Sequence, residues 1–135
     1  NIKIMHLGKK EGLPSKTLNI INDVVESTKM NNGLFLNIAL NYGGRSEIID
    51  AFRASKISKV SLNEKNFYKF LYNPKLPDPE IIIRTGGDLR ISNFLLWQSA
   101  YTELFFTKIL WPDFNYAKLK KIIKDFYKRK RNFGK

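Results

Sequence analysis

Cysteine is absent from the 135 residues, so no disulfide, thiolate nucleophile or cysteine-ligated zinc site can form, and nothing requires an oxidising compartment. Histidine occurs once, at His6, which reads as a strand or loop residue rather than a catalyst. No apolar run approaches the roughly 20 residues of a membrane-spanning helix. The opening stretch, NIKIMHLGKKEG, lacks the apolar core of a secretory signal. A soluble chain is the expectation. Acidic residues are scarce as well: 12 Asp and Glu against 24 Lys and Arg leave a net charge of +12. Such an excess implies attraction to anions, whether phosphates, nucleic acid or acidic lipid headgroups. It is concentrated late in the chain, where nine Lys or Arg face two Asp between Asp113 and Lys135, a net of +7.

What is present suits a folded core. Hydrophobic residues make up 43% and aromatics 13%, and the length fits a single domain over residues 1–135. Short aliphatic runs alternate with helical patterns, the signature of an α/β fold with a mostly parallel sheet flanked by helices. Strands are expected at Ile2 to Leu7, Leu34 to Leu40, Ile81 to Ile83 and Leu104 to Thr107. Helices are expected from Pro14 or Ser15 (Leu18, Ile21, Val24, Val25 and Thr28 on one face), around Ile48, Ile49, Phe52 and Ile57, and around Phe67, Phe70 and Leu71. Two more are expected at Asn93 to Tyr101 and at Tyr116 to about Arg131. The second strand is apolar nearly throughout, so burial on both faces is expected. Asn1 opens almost directly onto a strand, and the expectation is that the sequence begins inside a sheet.

Three stretches are candidates for chemistry. In IIIRTGGDLRISN a strand delivers Arg84 to the sheet's carboxyl edge, where ligands bind in open α/β sheets, and Gly86-Gly87 permits a tight turn. Arg84, Arg90 and Ser92 then gather two guanidinium forks and a hydroxyl, the last placed to cap the next helix. The alternative is structural: Ser92 only caps, and the arginines pair with Asp78 or Asp88. Glu103, eleven residues past Ser92, reads by itself as a solvated or salt-bridged carboxylate. Aimed at a diphosphate it would need a bridging cation, and Mg²⁺ binds one or two carboxylates together with substrate phosphates. LNIALNYGGRSEI, with Asn41, Tyr42 and Arg45 at its turn, reads first as a tight strand-to-helix connection.

LNIALNYGGRSEI together with PDPEIIIRTGGDLRISNFLLWQSAYTELFFTKILWPDF resembles the C-terminal signatures of the cis-prenyltransferases, the family of undecaprenyl and dehydrodolichyl diphosphate synthases. The resemblance is near continuous from Pro77 to Phe114, and RTGGDLR is similar to bacterial-type homodimeric members. It implies condensation of isopentenyl diphosphate with an allylic diphosphate such as farnesyl diphosphate, giving a polyprenyl diphosphate for a dolichol or undecaprenyl carrier lipid. It carries over Arg84, Arg90 and Ser92 as ligands of isopentenyl diphosphate and Glu103 as a Mg²⁺ ligand, with no catalytic residue within these 135. The family's aspartate and Gly-Asn-Arg loop do not occur in the sequence, so the chain is expected to match a C-terminal half and to be inactive alone. Asn132 stands where many members have the arginine of an Arg-x-Gly signature that reaches the partner subunit; Arg131 lies beside it.

Partners implied are the two substrates and a second copy of the chain. A cytoplasmic chain, or one peripheral on a membrane such as that of the endoplasmic reticulum or a plastid-like organelle, is expected. The last helix alternates Leu119, Ile122, Ile123, Phe126 and Tyr127 with Lys118, Lys120, Lys121 and Lys124. It reads first as a packed surface helix, with membrane or nucleic-acid contact as the alternatives. Nucleic acid is disfavoured, because Phe35, Phe94, Trp97 and Phe105 to Phe106 lie in apolar runs that read as core. The rival classes are a non-catalytic prenyltransferase subunit, which would lack the Arg84, Arg90, Ser92 and Glu103 set, and a basic nucleic-acid module.

Overall fold

The computed structural model describes residues 1–130. The chain, expected from its length to be one domain, divides by its internal contacts into two compact units, Asn1–Leu76 and the residues from Pro77 onward.

In the first unit, β1 (Ile2–Leu7) and β2 (Leu34–Ala39) run parallel with Ile2 opposite Leu34 and Leu7 opposite Ala39. Parallel neighbours need a crossover, and α1 (Ser15–Ser27) supplies it. Its apolar face lies on the strands: Ile20, Ile21, Val24 and Val25 meet Ile4, Met5, Ile38 and Leu40 around a small apolar cavity. Thr28 fixes the helix end, accepting from the Ile4 amide at 3.1 Å and donating to the Val24 carbonyl at 2.8 Å. The strands end in a shared turn. Gly8 has φ +137°, and a Cβ there would stand 2.3 Å from the Leu40 carbonyl oxygen. Asn41, at φ +53°, donates its amide to the Lys9 and Glu11 carbonyls. His6 is a residue of β1, and its Nε2 lies 2.9 Å from the Leu40 oxygen.

Two expectations are corrected here. β2 is not buried on both faces: Leu34, Phe35, Leu36 and Ile38 are all exposed, and β1 is its only hydrogen-bonded neighbour among the described residues. The helix α2 (Gly44–Ile57) buries Gly44, Glu47, Ala51 and Ser55, whereas Ile49, Phe52 and Ile57 face out. The inward polar stripe is stable because Glu47, 1% exposed, accepts from Tyr42 Oη at 2.6 Å and from the Tyr72 amide at 3.0 Å. Small Ala51 and Ser55 let the Phe67–Phe70 turn approach α2. That turn is one 3-10 turn rather than a helix. Asn63 and Asn66 bond each other's amides reciprocally before it, and Leu71 is already extended after it. Beside it Tyr72 Oη donates to Asp50 at 2.7 Å, and Lys9 Nζ reaches the same carboxylate at 2.8 Å.

In the second unit, β3 (Ile81–Arg84) and β4 (Glu103–Phe106) are parallel, pairing Ile81 with Glu103 and Arg84 with Phe106. The expected helix from Asn93 to Tyr101 is replaced by consecutive turns. Ser92, Asn93 and Leu95 adopt φ of +47°, +65° and +46°, and three left-handed residues in four cannot enter a right-handed helix. Leu95 is buried, as its apolar run suggests, but Phe94 is exposed, as is Phe35 in the first unit. The last helix, α3 (Tyr116–Lys128), starts at Asn115, whose side chain caps the Lys118 amide, and ends at Lys128. Its inward residue is Phe126. The reading at Arg131 and Asn132 lies outside the described residues. No described helix is long and apolar enough to cross a membrane.

Candidate functional site

The end of β3 sets Arg84 on the strand's carboxyl edge, and the chain then enters a turn whose backbone favours glycine. Gly86 and Gly87 have φ of +89° and +87°. Their amides donate to the Ile109 and Thr107 carbonyls, both at 2.9 Å. These two N–H groups are therefore spent on the continuation of β4, and side chains must supply the donors for any anion.

They are gathered by the loop's return. Arg84 Nη1 donates to the Arg90 carbonyl and to Ser92 Oγ, each at 2.7 Å, while Nη2 donates to Asp88 Oδ2 at 2.8 Å. Arg90 Nη2 reaches the same Asp88 oxygen at 2.6 Å. The arginine pairing that the sequence left open is thus made to Asp88, not Asp78, and it coexists with the cluster. Asp88 holds two guanidinium groups on one carboxylate, so one positive charge of the trio is left uncompensated. The side chain of Arg84 is 26% exposed and that of Arg90 64%; one fork is set in the wall and the other is free to swing. Ser92 does not cap a helix, since none follows; its left-handed backbone turns the hydroxyl back to Arg84. A cavity of about 400 Å³ opens beside the cluster. Arg84, Thr85, Arg90 and Ser92 form its polar end, and Ile82, Ile83, Ile91 and Phe94 its apolar wall. It suits a strongly anionic head carrying a short hydrocarbon.

Glu103 stands elsewhere. It is the first residue of β4, in register with Ile81, three positions before Arg84 and therefore roughly 10 Å from it along the strands. Its carboxylate accepts from Arg129 just past α3. That guanidinium also lies over the Phe105 ring, 3.9 Å from the centroid. The structure brings Arg84, Arg90 and Ser92 together and leaves Glu103 apart from them. Among the described residues no group of three His, Cys, Asp or Glu could cage a metal by itself. A single carboxylate such as Glu103 could hold Mg²⁺ only together with water and substrate phosphate oxygens, and here it is paired with Arg129.

Sequence reasoning missed the partner of Glu103, because Arg129 is 26 residues away and no local pattern links them. It also missed the Tyr42, Glu47, Tyr72, Asp50 and Lys9 network. There the hydrogen bond from Lys9, reinforced by Tyr72, holds the Asp50 carboxyl below its usual range. Burial, then the hydrogen bond to Asp50, pushes the Tyr72 phenol well above its ordinary value. A signal existed: Glu47 sits four positions before Ala51 and eight before Ser55, a stripe of compatible small residues.

Parallel strands, a double-glycine turn and an arginine cluster beside a part-apolar cavity make this an α/β chain with a candidate anion-binding site. The sequence profile of the family described as "Putative undecaprenyl diphosphate synthase" matches residues 1–134, and the chain belongs to that family. It is 49% identical to an isoprenyl transferase of Thermotoga maritima over 98% of its length and 47% identical to one of Streptococcus pyogenes over 100%. In both cases it spans 59% of the relative's own length. Its fold superposes on the crystal structure of a probable undecaprenyl diphosphate synthase of Campylobacter jejuni with a TM-score of 0.93 and 38% identity, covering 99% of this chain and 64% of that one. A lavandulyl diphosphate synthase of Lavandula x intermedia, solved with dimethylallyl diphosphate, gives 0.92 at 31% identity, over 99% of this chain and 61% of that one.

Proposed function

We propose that the protein carrying this chain elongates cis-prenyl chains, condensing isopentenyl diphosphate with an allylic diphosphate such as farnesyl diphosphate to give a polyprenyl diphosphate. The product would serve as a precursor of a carrier lipid of the dolichol or undecaprenyl type. One observation carries the reading: the Arg84, Arg90 and Ser92 end of the cavity suits a diphosphate, and its Ile82, Ile83, Ile91 and Phe94 wall suits a five-carbon alkene. Arg84 and Ser92 would hold the diphosphate in place, and Arg90, the more exposed fork, would close on it. An incoming diphosphate takes over the guanidinium bonds now made to Asp88. Holding the alkene in one orientation is the main contribution such a pocket can make, since no side-chain nucleophile is needed. Bound Mg²⁺ would neutralise charge on the departing diphosphate, and Glu103 is the carboxylate offered to it.

The working form is proposed as a homodimer, because RTGGDLR is similar to homodimeric members, and the chain by itself as inactive, because the family's aspartate and Gly-Asn-Arg loop do not occur in its sequence. Isopentenyl incorporation into farnesyl diphosphate tests the reading on the whole protein and on this chain alone; turnover by the isolated chain would overturn its inactivity. Arg84→Lys keeps the charge but loses the fork, so KM for isopentenyl diphosphate should rise about 10- to 100-fold. Glu103→Ala should weaken the dependence on Mg²⁺. Parental kinetics in both variants would refute the site.

A further inference from the structure

We propose that the outward face of α3 is a docking surface for an anionic lipid bilayer. The helix has two apolar stripes, not one. Phe126 is buried, with Leu119 and Ile122 half-buried on the same side. At about 100° per residue, Tyr116, Ile123 and Tyr127 fall on an adjoining stripe that stays exposed, Tyr116 at 73% and Tyr127 at 80%. Lys120, Lys124 and Lys121 carry that stripe on around the helix and are exposed too. The Lys120 ammonium lies over the Tyr116 ring, 6.0 Å from its centroid, so cations and aromatics form one surface. Asp125, the only acid in the helix, falls beyond the lysines and faces Lys128 at 3.8 Å.

A helix committed only to its own core would show water a charged face. This one shows tyrosines and an isoleucine bordered by lysines, the pattern of helices that lie in the plane of a bilayer surface. Tyrosine rings suit the headgroup depth, and lysine stems lie along apolar surface while their ammonium groups reach phosphates. Charge selects this occupant: a second copy of α3 would bring the same lysines against these. Every cation in the stripe is lysine; the one arginine at the helix end, Arg129, is engaged by Glu103. The surface deepens the prenyl-transfer reading and rests on it only for the reason a bilayer is needed, a product whose hydrocarbon tail leaves water.

The test is sedimentation of the whole protein with vesicles of phosphatidylcholine alone or mixed with phosphatidylglycerol. Binding should require the anionic lipid and fall steeply with salt. Lys120→Gln, Lys121→Gln and Lys124→Gln together should cut it by about a hundredfold, each charge near such a surface counting for about fivefold. Tyr116→Ser with Tyr127→Ser should weaken it at unchanged charge. All five positions are exposed, and unchanged circular dichroism checks the fold. Equal binding to neutral vesicles, or full binding by the triple variant, would overturn the proposal. So would a triple variant that loses self-association or binding to an oligonucleotide while the parent ignores vesicles. Transfer activity in detergent should stay parental in all these variants. A parent that binds vesicles but transfers no prenyl group would sink the enzymatic reading and leave this surface standing.

Discussion

Replacing Glu47 by alanine should be the most damaging single change in the first unit. The carboxylate is 1% exposed and accepts from Tyr42 Oη and the Tyr72 amide. Hydrogen bonds to a charged group contribute about 1.5–3 kcal/mol each, so two represent roughly 3–6 kcal/mol. Part is returned because a charge no longer has to be buried, leaving a net loss of about 3 kcal/mol. For a unit of this size that corresponds to roughly 12–24 °C in Tm. Glu47→Gln separates charge from connectivity. Its carbonyl can serve the Tyr72 amide, and its NH₂ can donate to the Tyr42 hydroxyl, which accepts as readily as it donates. That variant should lose only about 1 kcal/mol. Urea unfolding followed by circular dichroism gives both values, and exchange of the Tyr72 amide reports the same loss locally. An alanine variant within 1 kcal/mol of the parent would show that Glu47 is not an anchor, and the account of why α2 turns a polar stripe inward would fall with it.

Other outcomes follow from single contacts. The Asp50 carboxyl is held below its usual range, so the stability it contributes is present above about pH 4 and is lost as pH falls through the lower folded value. Asp50→Asn should therefore flatten acid unfolding in that window without changing the slope near neutrality. Gly87→Ala forces φ of +87° on a residue with a Cβ, and should cost on the order of 1–3 kcal/mol and loosen diphosphate binding, read by calorimetric titration with isopentenyl diphosphate. Asn115→Ala removes the cap on the Lys118 amide and should destabilise α3 by about 1 kcal/mol in the same unfolding assay.

The strands were legible because short aliphatic runs have few alternatives. Ile2 to Leu7 is reproduced residue for residue, and Leu34 begins the second strand where the pattern puts it. Helices were legible where the helical periodicity was clear, as in α1, expected from Pro14 or Ser15, and in α3, expected from Tyr116. They failed where local turn chemistry won. Periodicity over Phe94, Leu95 and Trp97 suggested a helix, but the left-handed backbone at Ser92, Asn93 and Leu95 decided otherwise. The helix α2 was legible around Ile48, Ile49 and Phe52, but its buried stripe was not, because burial there follows hydrogen bonding to Glu47 and not side-chain hydropathy. Of the candidate site, Arg84, Arg90 and Ser92 were readable because all three lie within nine residues of one turn. The ion pair of Glu103 was not, since sequence carries no trace of a contact across 26 positions.

The committed amides of Gly86 and Gly87 also bear on the thermodynamics of recognition. With both N–H groups tied to Thr107 and Ile109, the Arg84 loop gave up its backbone freedom when the protein folded. Little ordering entropy is then left to lose when an anion arrives. Protection of these two amides against exchange should be nearly the same with the pocket empty or filled, the behaviour of a lock cut before its key.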